Sequence, residues 1–437
     1  MIHIAIIGSG PSGCYIADML SKKRSDIQVD VYDRLPTPFG LVRTGVAPDH
    51  QGTKNIVQQF ERTFLRENVR FAGNVTIGRD VSYQALKTHY DLIAVTTGAQ
   101  EDRTTDIEGE KLQGVYGSGA FVGWYNNHPD QDHLKPALDG TGIAIIGNGN
   151  VALDIARVLA KTDSEMEGSD ISPDVASAIA TSPVTDIYLI GRRGPVEASF
   201  TAAALNEFNM LERCVPLVDP AQIPAALPDD MNPVTALMVG KKLEFLRTFA
   251  ANQPDDKPLR LHFLFYATPV EILDDKGRAG GLRLAKNHLI NKQPQATGET
   301  FDLPVQTVIS AIGYHSQPII GMPFDEKKGI VSHQDGLIEE SVYAAGWCKC
   351  GPQGVIPTNR VDAMAIAKRM ITDLEARPLA GTKSGFREIS QLLQRHHIRV
   401  VSFEDWQTIS AAETASAADN RTRKKFNSIN EMLAILD

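Results

Sequence analysis

The sequence is poor in cysteine: Cys14, Cys214, Cys348 and Cys350 are its only four in 437 residues. Thiols so few and so scattered support neither a disulfide framework nor a zinc site, because both need paired cysteines at bridge or ligand spacing. Cys348 and Cys350 stand one residue apart, which is not the C-x-x-C spacing of a redox pair, and are read as two packed thiols. Long apolar runs are missing too, and none approaches the ~20 residues of a membrane-crossing helix. A first strand expected almost at Met1 leaves no space for a cleavable leader, so the cytoplasm is the expected compartment. Positive charge is in deficit, 44 Lys and Arg against 53 Asp and Glu, and the net charge of -9 excludes a general affinity for nucleic acid. What remains is the composition of a globular protein, 42% hydrophobic and 22% charged, long enough for two or three domains.

The chain opens on its most informative stretch, Ile2 to Asp33. A short apolar run enters a loop of the form Gly8-x-Gly10-x-x-Gly13, a helical segment follows with Ile16, Ala17 and Leu20 on one face, and a second apolar run, Val29 to Tyr32, ends at Asp33. Each part suits a dinucleotide site. Gly8 permits the tight turn, Gly10 leaves room for a pyrophosphate, and Gly13 lets helix and strand pack closely. The helix start offers free N-H groups to phosphate. Asp33, about 20 residues beyond the last glycine, suits the ribose hydroxyls and would repel a 2'-phosphate.

A Pro- and Gly-punctuated stretch, residues 35–50, then reads as a long loop with a ligand to cover. Thr53 to Leu65 reads as helix, Val69 to Ile77 and Tyr90 to Thr97 as strands, and Ala99 to Glu110 as a polar crossover. The nucleotide pattern then returns. Strand Thr141 to Ile146 enters Gly147-Asn148-Gly149-Asn150, and a helix follows with Val151, Ala152, Ile155, Ala156 and Leu159 on one face. An acidic, Ser-rich stretch between Lys161 and Pro183 reads as a surface excursion. Strand Asp186 to Ile190 ends at Gly191-Arg192-Arg193, so two guanidinium forks stand where the first unit has Asp33. Such forks can hold a phosphate bidentately, and the second site is expected to prefer NADP over NAD. Pro216 to Pro258 reads as helix and loop, and apolar strands are expected at Leu261 to Phe265, Gly281 to Leu284, Thr307 to Ala311 and Ser341 to Gly346. Val361 to Leu374 and most of the tail from Phe386 read as helical, with a capping box at Ser428 and Glu431.

One acidic and one arginine-bearing site in a single chain fit a bound flavin beside a nicotinamide. At this point the sequence resembles the adrenodoxin-reductase type of NADPH-ferredoxin reductase, within the glutathione-reductase-like flavoproteins. The motifs are G-S-G-P-S-G (8–13), P-F-G-L-V-R-T-G-V-A-P-D-H (38–50), G-R-D-V (78–81) and A-F-V-G-W-Y-N (120–126). G-N-G-N-V-A-L-D-I-A-R (147–157), G-R-R-G-P (191–195), A-I-G-Y (311–314), G-W-C-K-C-G-P-Q-G-V-I (346–356) and V-S-F-E-D-W (401–406) complete the set nearly to the C-terminus.

The resemblance implies FAD on Gly8, Gly10, Ser12, Gly13 and Asp33, with Leu41, Ile77, Trp347 and the turn Gly354-Val355-Ile356 on the flavin. It implies NADP on Gly147, Asn148, Gly149, Asn150, Arg192 and Arg193, with Gly354 near the nicotinamide. His50 and Glu207 match positions beside the isoalloxazine, where an imidazole can order the nicotinamide and relay a proton. The sequence departs from the family at Ala204, where some relatives carry a carboxylate, and at Cys350, where a basic residue is usual.

The implied fold is α/β, with two Rossmann-like, glutathione-reductase-like dinucleotide-binding domains. An NADP domain (105–324) is inserted into an FAD domain (1–104 and 325–437). The implied activity moves a hydride from NADPH to FAD and then single electrons to a 2Fe-2S ferredoxin, with no redox cysteine pair. The ferredoxin would be acidic, and the candidate docking residues are Lys241, Lys242 and Arg247, followed by Lys22, Lys23 and Arg24. Two other readings stay open: an NADPH-dependent flavin monooxygenase or reductase subunit of a larger complex, and a non-catalytic NADP-binding sensor.

Overall fold

Two runs rich in isoleucine, Ile2–Ile7 and Gly142–Ile146, lie inside two separate six-stranded sheets. They are buried on both faces, as strands of parallel sheets are. The structure, a computed structural model, describes residues 1–228, 230–354, 356–376 and 381–437. In the first sheet Ile2–Ile7 pairs in parallel with Ile27–Tyr32 on one side and Leu92–Val95 on the other. Val69–Ala72 and Val342–Ala344 extend it in parallel, and Leu337–Glu339 closes one edge antiparallel. The second sheet is wholly parallel, in the order Val115–Gly117, Thr307–Ser310, Gly142–Ile146, Asp186–Ile190, Leu259–Leu264, Cys214–Val218. Each sheet has its own core beneath the helix that follows its glycine loop, Pro11–Lys23 in one and Asn150–Ala160 in the other. These are the two Rossmann-like units expected, the second carried between parts of the first. The two chain crossings between them pair with each other, Glu101–Asp102 antiparallel to Tyr314–His315.

Several sequence expectations need correction. The strand expected over 69–77 stops at Ala72, because Gly73 turns to bond Val401. The helix expected from Thr53 is two pieces, Gln51–Lys54 and Val57–Phe64. Pro216 lies inside the strand Cys214–Val218, which sits at a sheet edge where a missing N-H is tolerated. The short run at Gly281 to Leu284 belongs to an antiparallel sheet of Ala267–Asp275, Arg278–Ile290 and Gln293–Leu303. Its outer face is charged, as in Lys286–Glu299, which hid most of it from a reading by apolar runs.

The stretch between Lys161 and Pro183 is no surface excursion. Met166, Ile171, Val175 and Ile179 are buried, the last two on a helix, Pro173–Ala180, capped by Ser172. Asp170 is buried as well and binds two lysines: Lys54 at 2.7 and 2.8 Å, and Lys425 at 3.1 Å. These three residues come from the first unit, the inserted unit and the C-terminal tail. Main-chain bonds Asp170 N to Pro48 O, Gly168 N to Asn420 O and Thr422 N to Ser169 O complete the clasp.

Burial pushes the Asp170 carboxyl up, but the two lysines outweigh it and hold it below its ordinary range. A carboxyl depressed in the fold contributes stability above its unfolded pKa and loses it as pH falls through the folded value. Asp170→Asn would leave two buried ammonium groups without a counter-charge. It should cost about 3–5 kcal/mol, read as a lower urea midpoint at neutral pH, with the difference from wild type shrinking in acid.

Candidate active site

Gly8 has φ +106°, and a Cβ on it would lie 2.5 Å from the carbonyl oxygen of Thr96, the residue after the neighbouring strand. Gly13 carries the other close approach: its Cβ would lie 2.1 Å from the Gly8 carbonyl, where helix meets strand. Gly10 differs from both, with nothing within 4 Å of a Cβ and an extended backbone that any residue adopts. Its missing side chain therefore leaves open space over the start of helix Pro11–Lys23, as a phosphate would need. Asp33 closes this site, accepting from Ser9 N at 2.9 Å and Ser9 Oγ at 2.5 Å, and from Leu35 N at 3.0 Å. Phe39, buried against Phe60 and Trp406, donates its N-H to Ser9 O and fixes the following loop over the glycines.

The second loop repeats the construction. Gly147 has φ +140° with its Cβ position 2.3 Å from the Ala311 carbonyl, again the residue after the neighbouring strand. At Gly149 only Ser199 Oγ, at 3.6 Å, lies near, and Ala152 is fully buried in the place of Gly13. Asn148 O accepts from Ser199 N and Phe200 N, and Asn150 Oδ1 accepts from Thr201 N, so the loop organises the segment that leads to Glu207. At the strand end Gly191 is buried, whereas Arg192 and Arg193 are exposed. Neither guanidinium has a protein partner among the described residues.

Both loops open on one continuous cleft of about 3040 Å³. A pocket for one small molecule takes ~300–1,000 Å³, so this cleft has room for two dinucleotides. Gly8, Gly10, Ser12, Asp33, Leu41 and Ile77 line its first half, and Gly147, Asn148, Gly149, Asn150, Arg192 and Arg193 its second. Trp347, Gly354 and Ile356 line the junction, with Trp347 stacked on Tyr314 at 6.2 Å and donating Nε1-H to Gln353 O. Helix Ile356–Ala376 begins there. Val355 lies outside the described residues. Gly13 alone of the other expected residues does not line the cleft, being spent on packing.

His50 and Glu207, distant in sequence, meet in the cleft, with His50 Nε2 and Glu207 Oε2 3.0 Å apart. Three residues that were quoted only within motifs join them. Arg157, its side chain 2% exposed, binds Asp49, Asp154 at 2.9 Å and Glu207 at 2.9 Å, and Lys161 binds Asp49 at 2.7 Å. The hydrogen bond that His50 donates to Glu207 raises the His50 pKa above the ordinary imidazole value, against burial and the Arg157 charge. For Glu207, burial pushes the carboxyl up and is outweighed by His50 and Arg157, which hold it down. No spacing links Arg157 to Asp49, but the D-I-A-R run of the helix puts Asp154 and Arg157 about one turn apart.

Three expectations change. Lys242 is buried, bonding the Ala198 carbonyl through Nζ at 2.5 Å, and cannot belong to a docking face. Lys241 and Arg247 are exposed but about 120° apart around helix Pro233–Ala250. Cys348 is packed, with burial pushing its thiol up to about 11, while Cys350 is exposed. Ala204 lines the cleft and offers it no charge.

The contrast between the glycines is testable. Gly10→Val should fold, since nothing crowds that position, and should purify with at least about tenfold less bound dinucleotide; Gly13→Ala should lose stability before it loses affinity. Absorbance of bound cofactor against thermal unfolding separates the two.

Residues 2–189 match the family described as pyridine nucleotide-disulphide oxidoreductase. Over 458 aligned residues the chain is 38% identical to NADPH:adrenodoxin oxidoreductase, mitochondrial, of Arabidopsis thaliana, covering 99% of this chain and 95% of that protein. It is 36% identical to NADPH-ferredoxin reductase FprA of Mycobacterium tuberculosis, covering 99% and 98%. The solved structure of Mycobacterium tuberculosis FprA in complex with NADPH superimposes with a TM-score of 0.94 at 34% identity, over 99% of both chains. With its motifs, its two loops and its full length accounted for, the chain belongs to the NADPH:adrenodoxin oxidoreductase family.

Proposed function

We propose that the chain is an NADPH-dependent ferredoxin reductase that passes electrons from NADPH, through FAD, to a 2Fe-2S ferredoxin. The observation that carries this reading is the opposite chemistry at the two ends of one cleft, Asp33 beside the first loop and Arg192 and Arg193 beside the second. Asp33 would repel a 2'-phosphate and Arg192 and Arg193 would grip one, so the two corners would take two different dinucleotides. Gly8, Gly10, Ser12, Gly13 and Asp33 would hold the FAD, with Leu41, Ile77, Trp347, Gly354, Val355 and Ile356 around its flavin. Gly147, Asn148, Gly149, Asn150, Arg192 and Arg193 would hold NADP. A bound flavin supplies the conversion of a two-electron donor into a one-electron source. His50 would order the nicotinamide and keep a proton on Nε2 against Glu207. Phe39, bonded through its N-H to Ser9 O, would hold its loop beside the first glycines.

Domain boundaries near residues 104 and 324 are part of the proposal, supported by the paired crossings at Glu101–Asp102 and Tyr314–His315. So is residence in the cytoplasm, which four free thiols suit, although the plant relative carries a mitochondrial name. Among the described residues no helix is long and apolar enough to cross a membrane. An acidic ferredoxin would dock through exposed Lys241 or Arg247 on helix Pro233–Ala250, with Lys22, Lys23 and Arg24 as a second basic group.

The purified chain should be yellow, be bleached by NADPH in stopped flow, and reduce a 2Fe-2S ferredoxin; a colourless protein, or bleaching without ferredoxin reduction, overturns the reading. Arg192→Ala with Arg193→Ala should cut the preference for NADPH over NADH roughly a hundredfold, at about 1.5 kcal/mol for each charged hydrogen bond lost. Lys241→Glu with Arg247→Glu should raise the ferredoxin KM and flatten its salt dependence while ferricyanide reduction stays unchanged.

A further inference from the structure

We propose that Arg157 is a positioning residue of this site, locking Asp49, Asp154 and Glu207 into one arrangement and thereby holding Glu207 against His50 across the junction of the two units. The inference rests on the reductase reading only for its catalytic consequence.

Arg157 lies near the end of helix Asn150–Ala160, on the inserted unit. Its Nη1 reaches both Asp49, on the loop of the first unit, and Glu207 Oε2, while Nη2 takes Asp154 Oδ1. The same Glu207 oxygen faces His50 Nε2 at 3.0 Å. One carboxylate oxygen is therefore shared by a guanidinium from one unit and an imidazole from the other. The planar fork donates directed hydrogen bonds to Asp49 and Asp154, and so fixed it stands against Glu207 as an ion pair at 2.9 Å, a placement the mobile point charge of a lysine would not keep. Glu207 needs that hold because it starts a short 3-10 turn, Glu207–Met210, and its side chain is 37% exposed at the cleft.

The charges agree with the geometry. Arg157, Lys161 and His50 hold the carboxyls of Asp49 and Glu207 below their ordinary range against burial, whereas burial pushes that of Asp154 up. The groups facing His50 are Glu207 from the turn, Asp154 and Arg157 from the helix, and Asp49 from its own loop, with Lys161 behind Asp49. Tyr125, behind Asp154, is kept neutral by burial.

A passive charge and a positioning fork predict opposite results. Arg157 opposes protonation of His50 by its charge, so removing that charge alone would raise the imidazole pKa further. If the fork positions Glu207, removing it frees the carboxylate, and the imidazole falls back toward about 6.5. The experiment is an NMR titration of the flavin-loaded chain carrying carbon-13-labelled histidine, with His50 assigned by its loss in His50→Gln. Arg157→Lys and Arg157→Gln should both lower the His50 titration toward the ordinary value. In the same variants NADPH-driven bleaching should slow roughly ten- to hundredfold at unchanged flavin content and NADP affinity.

A His50 titration in Arg157→Lys equal to wild type, or a rise in Arg157→Gln, overturns the proposal. Failure of both variants to fold while His50→Gln and Glu207→Gln fold normally would assign Arg157 to stability alone and overturn it as well. A wild-type chain that NADPH does not bleach would sink the reductase reading instead, and the titration would still decide the role of Arg157.

Discussion

Two main-chain carbonyls, those of Thr96 and Ala311, occupy the space where any side chain on Gly8 or Gly147 would have to be. Much else depends on that close approach. It lets the chain leave each strand, turn with positive φ and enter a helix directly at the carboxyl end of the sheet, where the free N-H groups of the helix start lie. Done twice in one chain, it creates two phosphate-ready corners. Because the second unit is inserted between parts of the first, the corners share one cleft.

The same architecture serves two chemistries because what differs is outside the shared backbone. Asp33 is tied down by Ser9 and Leu35 and presents a fixed negative end to the first corner. Arg192 and Arg193 stand exposed beside the second, where a loop carbonyl on each, bonded to Asn287 and Tyr266, fixes the backbone and leaves the side chains to reach the cleft. What differs between the two corners is the charge beside each strand end, Asp33 at the first and Arg192 with Arg193 at the second. It costs the fold nothing, since neither position belongs to a core.

Between segments far apart in the chain the charges are closely paired. Asp170 with its two lysines, Glu413 with Arg43 and Arg423, and the carboxylates around Arg157 are three places where buried ions face each other across chain segments far apart in sequence. Buried charges left unpaired are expensive, so each group requires its partner segment to be docked. These matched ions tie the tail, the loop that carries His50 and the inserted unit to one another. The site at their junction is accordingly a product of the assembly and not of either unit.

What the sequence by itself determined was local: the glycine loops, the acid and the arginine pair at the strand ends, the repetition of the unit, and the capping box at Ser428 and Glu431, which the tail helix displays. These were readable because turn, phosphate approach and ribose contact are decided within one strand-loop-helix unit. His50 and Glu207 were reached only through resemblance, since no spacing links them. The tertiary structure alone decided that Arg157 and Asp49 share a site, that Lys242 points inward to a carbonyl, and that the polar stretch before Pro183 is a buried clasp. Each depends on which segment lies across from a charged side chain. Periodicity assigns such side chains to solvent by default, and only a partner brought in from a distant part of the chain makes their burial affordable.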